Sequence, residues 1–422
     1  MTLERKLQSI LIILIIVSLP VYGTISLPSI QTGRAAKPRM RTFIFNPNAA
    51  DELVIYTHDS FMAWGKPEDY QIVMNQTFYN FGVLHNVTVT VNVFSGMVEA
   101  LNLLISQKEH PQADLVIGLD NTMVSRAKEE QILLPLLTGV NLENVSADLI
   151  AALDPEKYLV PIDYGLIAVI FDTAYINVST NPELLTMDFD TLLDTFGKTL
   201  VVQDPTQSAT GLNFLLYQIV LYEKVLGQEW QQWWKKAKGQ VTIDKSWSDS
   251  WERVFSKKEA HMMVSYGTDP AYNAYFGYSY EHNAAIIHHN GTKYGWLQIE
   301  GIGVVNGTTK ANLAKEYINY ALSSEVQDYV ATNNWMFPAN NQTTLDPSYD
   351  YAITTENVTI LNNLIQPNYI GDNYQDWLNT WERLVYGSGT WWIWALISAI
   401  ALLIAGIVTY FVFKSKTRID VE

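Results

Sequence analysis

Strand-like and helix-like segments alternate between about Phe43 and Tyr351, and this order limits the folds open to the chain. Val87–Val93 alternates in polarity and is rich in β-branched residues, which is typical of a strand. Met97–Gln107 carries its apolar residues on one helical face, and Asp114–Ile117 is the next apolar strand. This β-α-β order predicts parallel strands joined by helical crossovers. Because the pattern resumes in the second half of the chain, we expect an α/β fold of two lobes with a hinge and a ligand cleft between them.

The N-terminal residues are typical of an export signal. Arg5 and Lys6 precede the apolar run Ile10–Leu19, as in a secretory signal peptide or an uncleaved anchor. We therefore expect a signal or anchor over residues 1–23 and a linker over residues 24–42. The two-lobed binding domain then occupies residues 43–386.

A second apolar segment, Trp391–Phe413, contains 23 residues without a charge. At about 1.5 Å per residue it is long enough to cross a hydrocarbon core of about 30 Å. Basic residues follow at once, and the positive-inside rule puts the tail, residues 414–422, in the cytoplasm. We expect a short hinge at 387–390 and a transmembrane helix at 391–413. The main domain would lie outside the cell membrane, held by one or two passes.

Composition narrows the classes of partner and chemistry. The chain has no cysteine, which excludes disulfides, thiol nucleophiles and a lipoprotein anchor. A formal net charge of -16 argues against a nucleic-acid partner, because phosphate backbones require basic residues. Eight Asn-x-Ser/Thr sequons favour an exported surface, which is glycosylated if these sites are used. They lie at Asn75, Asn86, Asn144, Asn177, Asn290, Asn306, Asn341 and Asn357.

The predicted loops carry aromatic and small polar residues rather than a catalytic motif. The sequence lacks G-x-S-x-G, a P-loop and G-x-G-x-x-G. We expect no catalytic residue, no metal site and no cofactor. Aromatic faces suit a flat or cationic ligand, although core packing explains any single tryptophan equally well. The loop Gln203–Gly211 precedes a helix, and it fits either an anion site or an ordinary N-cap.

Ordered motifs along residues 52–340 resemble those of one family. They are YTHDSF with Trp64-Gly65, ADLVIGLDN at Ala113–Asn121, VPIDYG at Val160–Gly165, Gln203-Asp204-Pro205, KSWS at Lys245–Ser248, VSYGTDPAY at Val264–Tyr272 and NWMFP at Asn334–Pro338. In this order they resemble the thiamine-binding, substrate-binding proteins of bacterial ABC importers. The resemblance implies a type II periplasmic-binding-protein-like fold that closes on thiamine or a thiamine phosphate. It also implies delivery to an ABC permease driven by an ATPase, here with a membrane anchor.

The resemblance also implies a set of ligand contacts. His58 stands where the family has a tyrosine, and Ser95-Gly96 matches an Asp-Gly pair. Thr206 replaces a basic residue in the loop on the phosphate side. The expected ligand-binding residues are His58, Asp59, Ser60, Trp64, Ser95, Gly96, Asp204, Thr206, Gln207, Ser208, Trp247, Tyr266, Tyr272 and Trp335.

Three alternatives stay open at this point. The first is a binding protein for another small cation, such as a polyamine, or for ferric ion held by paired tyrosines. The six-residue spacing of Tyr266 and Tyr272 weighs against ferric ion. The second is a surface enzyme on the same fold that uses no thiol. The third is a sensory ectodomain, which would need a separate signalling partner because the tail at 414–422 is short.

Overall fold

The computed structural model describes residues 40–278 and 283–387. The expected signal segment at 1–23, the transmembrane segment at 391–413 and the tail at 414–422 lie outside the described residues. Within the part of the chain that is described, no helix is both long and apolar enough to cross a membrane.

Strands of the described region build one large mixed sheet and a small separate sheet. The first strand starts at Arg41, inside the stretch expected to be a linker. The strands are β1 (Arg41–Phe45), β2 (Asp51–His58), β3 (Val87–Phe94), β4 (Leu115–Asp120), β5 (Leu133–Leu134), β6 (Val160–Phe171), β7 (Leu200–Gln203), β8 (Thr242–Asp244), β9 (Met262–Tyr266), β10 (Ala284–Ala285), β11 (Ile287–His289), β12 (Thr292–Gly295), β13 (Leu297–Val305), β14 (Phe337–Pro338) and β15 (Thr359–Ile360).

Helices cover the large sheet, and several continue into tighter or wider turns. The α-helices are α1 (Tyr70–Met74), α2 (Asn80–His85), α3 (Met97–Ser106), α4 (Val124–Glu129), α5 (Ala147–Leu153), α6 (Phe189–Phe196), α7 (Ala209–Val220), α8 (Gln231–Ala237), α9 (Trp247–Trp251), α10 (Asp269–Phe276), α11 (Ala311–Ala321), α12 (Ser324–Asn333) and α13 (Pro367–Val385). Turns of π-helix cover Asn75–Tyr79, Leu221–Leu226 and Glu252–Ser256, and 3-10 turns cover Pro182–Leu185, Gly197–Thr199, Pro347–Tyr351 and Leu361–Leu364.

The large sheet runs in the spatial order β1-β3-β2-β4-β13-β6-β9-β7-β8. The predicted parallel β-α-β arrangement is confirmed, because β2 pairs in parallel with both β3 and β4. The middle of the sheet differs from the expectation of parallel strands. There β13 pairs antiparallel with β4 and with β6, and β6 pairs antiparallel with β9. The strands that join the two halves of the sheet are therefore antiparallel.

Each half of the sheet has a large apolar core. In the first half, Ile55 and Val91 pack with Phe78 and Tyr317, which belong to the surrounding helices. The second half buries the side chains of α6, α7, α8 and α13 in a different core. Strand β6 contributes to both cores, since Val160 and Ile162 lie in the first and Ile167 and Phe171 in the second.

Helix α13 is the last helix of the described residues and packs on the second half of the sheet. Trp377 and Trp381 lie one helical turn apart and are both buried, with Trp381 edge-on to Trp234 at 5.4 Å between ring centroids. These two tryptophans therefore serve the core of the second half.

Candidate ligand-binding site

The candidate site is an open cavity of about 1200 Å³, counting its mouth, at the edge of the large sheet. His58 ends β2, Ser95 and Gly96 follow β3, and Tyr266 ends β9. Ser208 reaches the same cavity from the loop after β7. Ligand sites of α/β sheets lie outside the carboxyl ends of strands, so the chain topology itself collects these residues.

All but two of the fourteen residues expected at the site line this cavity. They are His58, Asp59, Ser60, Trp64, Ser95, Gly96, Gln207, Ser208, Trp247, Tyr266, Tyr272 and Trp335. Asp204 and Thr206 are not part of the wall. The Asp204 carboxylate accepts hydrogen bonds from the Thr206 hydroxyl at 2.6 Å, from Gln207 at 3.0 Å and from the Tyr386 hydroxyl at 2.9 Å. Both residues therefore shape the loop from behind the cavity.

One wall of the cavity is a cluster of aromatic rings. Trp247 stacks on Trp251, with centroids 5.3 Å apart and an interplanar angle of 22°. Trp64 meets Trp247 edge-on at 5.1 Å and 81°. Tyr272 bridges Trp251 at 5.8 Å and Trp335 at 5.2 Å. The wall therefore offers both ring faces and ring edges, the surfaces that bind flat or cationic groups.

Trp247 is held in place by local structure. The Ser246 side chain caps α9 by accepting a hydrogen bond from the backbone N–H of Asp249 at 3.1 Å. The indole Nε1 of Trp247 donates to the Ser265 hydroxyl at 2.9 Å. The cap thus fixes the start of the helix that carries Trp247, and the hydrogen bond to Ser265 fixes the indole ring itself.

Trp335 is held in an unusual backbone conformation. Its φ of 55° lies in the left-handed region, which costs a non-glycine residue roughly 1–2 kcal/mol. Its indole Nε1 donates to the carbonyl of Trp64 at 2.9 Å, and its own carbonyl accepts from the Thr268 hydroxyl at 2.6 Å. These bonds hold the 7% exposed side chain against the cavity in spite of the strain.

An ion pair lies at the floor of the cavity. His58 Nε2 is 3.2 Å from the Glu300 carboxylate, and both side chains are largely buried. Burial alone would lower the pKa of His58, but Glu300, with help from Asp59 and Asp120, raises it overall. Gly118 lets the imidazole lie close to β4, since a Cβ at Gly118 would be 2.5 Å from His58 Cδ2.

Two more carboxylates lie in the protein beside this pair. Asp120 accepts from the backbone N–H of Thr122 and from Asn213, and burial raises its pKa to about 6. Asp163 accepts from Asn334 at 2.5 Å, and its other oxygen is buried without a partner. Burial and the charge of Glu300 raise the pKa of Asp163 well above its usual range. Glu300 at the floor of the cavity therefore has two further carboxyl groups buried behind it.

The Tyr266 hydroxyl belongs to a hydrogen-bond network. It donates to the Gln298 side chain at 2.9 Å and shares a hydrogen bond with Thr210 at 3.1 Å. Burial raises the pKa of Tyr266, so the phenol stays neutral at physiological pH. In this structure the two hydrogen bonds hold the Tyr266 hydroxyl to protein groups at the cavity wall.

The structure adds residues to the expected set of ligand contacts. Gln298 and Glu300 are two residues apart on β13 and point into the cavity, together with Trp251, Thr210 and Asp269. A polar pair with period-two spacing in an otherwise apolar strand was a signal for the first two. The one-turn spacing from Trp247 was a signal for Trp251.

Comparison with known proteins identifies the class to which this fold and cavity belong. The family model of the bacterial extracellular solute-binding proteins matches residues 76–355, and the chain belongs to this family. Its mixed α/β fold is that of the periplasmic binding proteins. The thiamine-binding periplasmic protein of Brucella abortus is 29% identical over 339 residues, which cover 79% of this chain and 92% of that relative.

Two further relatives agree with this assignment. The thiamine-binding periplasmic protein of Escherichia coli is 28% identical over 340 residues, covering 79% of this chain and 93% of its own. A solved structure described as a periplasmic thiamin binding protein superposes with a TM-score of 0.63 at 25% identity, covering 79% of this chain and 96% of the other.

Proposed function

We propose that this protein is an extracytoplasmic thiamine receptor that closes on its ligand and delivers it to an ABC permease. The observation that carries the proposal is the aromatic wall of Trp64, Trp247, Tyr272 and Trp335 above an acidic floor. Thiamine joins two flat heterocycles, one of which carries a permanent positive charge. Aromatic faces attract such a cation by roughly 0.5–2 kcal/mol each.

The acidic floor supplies the second part of the recognition. Glu300 is 8% exposed and lies beside buried Asp120 and Asp163, so its charge is poorly screened by water. Hydrogen-bonding groups at the same place, Gln298 and Thr210, suit the polar edge of an aminopyrimidine. The charged ring of thiamine is therefore matched by the aromatic wall and Glu300, and its aminopyrimidine ring by Gln298 and Thr210.

The proposed transport cycle uses the two halves of the sheet as two lobes. Residues from the first half, such as His58, and from the second half, such as Trp247, face the same cavity. Closure of the lobes would bring both sets onto the ligand, and only the strands joining them need to bend. The closed form would then dock on the permease and its ATPase.

We further propose that the receptor is tethered to the membrane. The uncharged run at 391–413 follows directly on α13 and the short hinge at 387–390, and the N-terminal segment at 1–23 would direct export. The domain at 43–386 would then remain beside its permease outside the cell membrane. Cell fractionation tests this: the full-length chain should stay with membranes after a high-salt wash, whereas a chain that ends at Gly387 and has lost residues 1–23 by cleavage should not.

Calorimetric titration of the full-length protein tests the ligand assignment. Thiamine should bind at one molecule per chain, because one cavity unites the aromatic wall and the acidic floor. Spermidine is the matched competitor, since it is cationic but has no ring to stack. Absence of binding heat with thiamine at several temperatures, or tighter binding of spermidine, would refute the proposal.

A further inference from the structure

We propose that the cavity selects unphosphorylated thiamine and discriminates against its phosphate esters. This inference rests on the proposed function and concerns the same site. It follows from the charges on the cavity wall and from the way the loop before α7 uses its hydrogen-bond donors.

The described wall of the cavity contains carboxylates but no lysine or arginine. Asp59, Asp269 and Glu300 line it, and His58 is the basic group that faces them, already paired with Glu300 at 3.2 Å. A phosphate monoester carries about −1.5 to −2 charges near pH 7. The ester of a singly charged cation is therefore net negative, and it would meet carboxylates without a cation to offset them.

The N-terminus of α7 is the place where a phosphate would otherwise be expected. Here several donors of the preceding loop are engaged within the loop itself. Asp204 accepts from the backbone N–H of Thr206 at 2.8 Å and from the side chains of Thr206, Gln207 and Tyr386. The Ser208 hydroxyl accepts from the N–H of Gly211 at 3.4 Å. The loop thus carries its own carboxylate, Asp204, five residues before the first residue of the helix, Ala209.

A second hollow that could take a phosphate adjoins the cavity and shares His58, Asp59 and Trp64 with it. Arg41 of β1 lines this hollow, but Phe43 and Phe45 of the same strand line it too. Asp59 also belongs to it. An exposed arginine beside a carboxylate and apolar rings is a weak phosphate site, so the hollow does not replace the missing cation of the cavity.

Titration of the full-length protein with thiamine and thiamine monophosphate tests the inference. We expect the monophosphate to bind at least tenfold more weakly. Gln207→Lys adds one positive charge to the cavity wall. It should reduce the ratio of thiamine affinity to monophosphate affinity at least fivefold. Gln207→Met, a neutral side chain of similar length, is the matched control and should leave the ratio unchanged.

The outcomes separate this inference from the proposed function. Failure of both compounds to bind would refute the proposed function and this inference with it. Binding of both with equal affinity would overturn the inference alone. If, in that case, Arg41→Ala no longer bound the monophosphate, the phosphate group would be assigned to the adjoining hollow. If Gln207→Lys left the ratio of the two affinities unchanged, the inference would also be contradicted. The charge of the cavity wall would then not determine the preference for thiamine over its monophosphate.

Discussion

Replacement of Trp247 by alanine separates ligand stacking from core packing. Trp247 lies on the cavity wall, stacked on Trp251 and edge-on to Trp64, and it is only partly buried. Its removal eliminates one cation–π partner, worth roughly 0.5–2 kcal/mol, and one aromatic contact of about 0.5–1.5 kcal/mol. Together these predict a loss of roughly 1–3 kcal/mol.

At about 1.4 kcal/mol per tenfold change, this loss should weaken thiamine binding roughly 5- to 140-fold. Trp247→Phe keeps a ring but loses the hydrogen bond to Ser265, and it should weaken binding about threefold. Calorimetric titration at 25 °C measures both, with thermal melting of each variant recorded in parallel.

Phe255→Ala is the matched control for this experiment. Phe255 packs on Trp251 at 4.3 Å between centroids and is not part of the cavity wall. Its loss should lower the melting temperature while thiamine affinity stays near that of the parent protein. Unchanged affinity in Trp247→Ala, or an equal loss in Phe255→Ala, would refute the assignment of this wall to the ligand.

Three further predictions follow from the floor of the site. Glu300→Gln should weaken thiamine binding about tenfold, because it removes the negative charge at the cavity floor, and the loss should shrink as the pH is lowered and His58 takes up a proton; a loss that does not change with pH in titrations would contradict this. Burial raises the pKa of Asp269 from 3.8 to about 7, so the folded protein keeps this proton to higher pH than the unfolded chain, and this contribution to stability is lost as the pH rises from about 4 to about 7. Asp269→Asn should therefore raise the melting temperature of the unliganded protein more at pH 8 than at pH 5, and an equal effect at both would count against it. Gly118→Ala should destabilise the protein by roughly 2–4 kcal/mol in denaturant unfolding, because the φ of 100° at Gly118 and the contact with His58 both oppose a Cβ. Gly96→Ala is the control: its added Cβ meets no atom within 4 Å, so its stability should be close to that of the parent protein.

Local patterns in the sequence predicted much of the first half of the fold. The alternating residues of β3 and the apolar face of α3 are short-range signals, and the helix between β3 and β4 implies parallel pairing. The antiparallel joining of the halves is a long-range property. Strand β6 contains Asp163 and Tyr164 within its apolar run, which hides its full length from a pattern search.

The site was predictable where motifs carried it. Aromatic residues such as Trp64 and Trp247 stand in ordered motifs, and the structure brings them to one wall. Glu300 was missed because its role depends on pairing of β13 with both β4 and β6. Asp204 was expected at the ligand, but Tyr386, 182 residues away in the sequence, takes part in holding its carboxylate. Contacts over such distances leave no local signal.

The position of thiamine in a crystal structure of the complex is the most direct test of the central claim. We predict that the charged ring lies within about 6 Å of the ring centroids of Trp247 or Tyr272, above Glu300. Thiamine bound elsewhere, or in the cavity with its charged ring away from every aromatic face, would contradict this account.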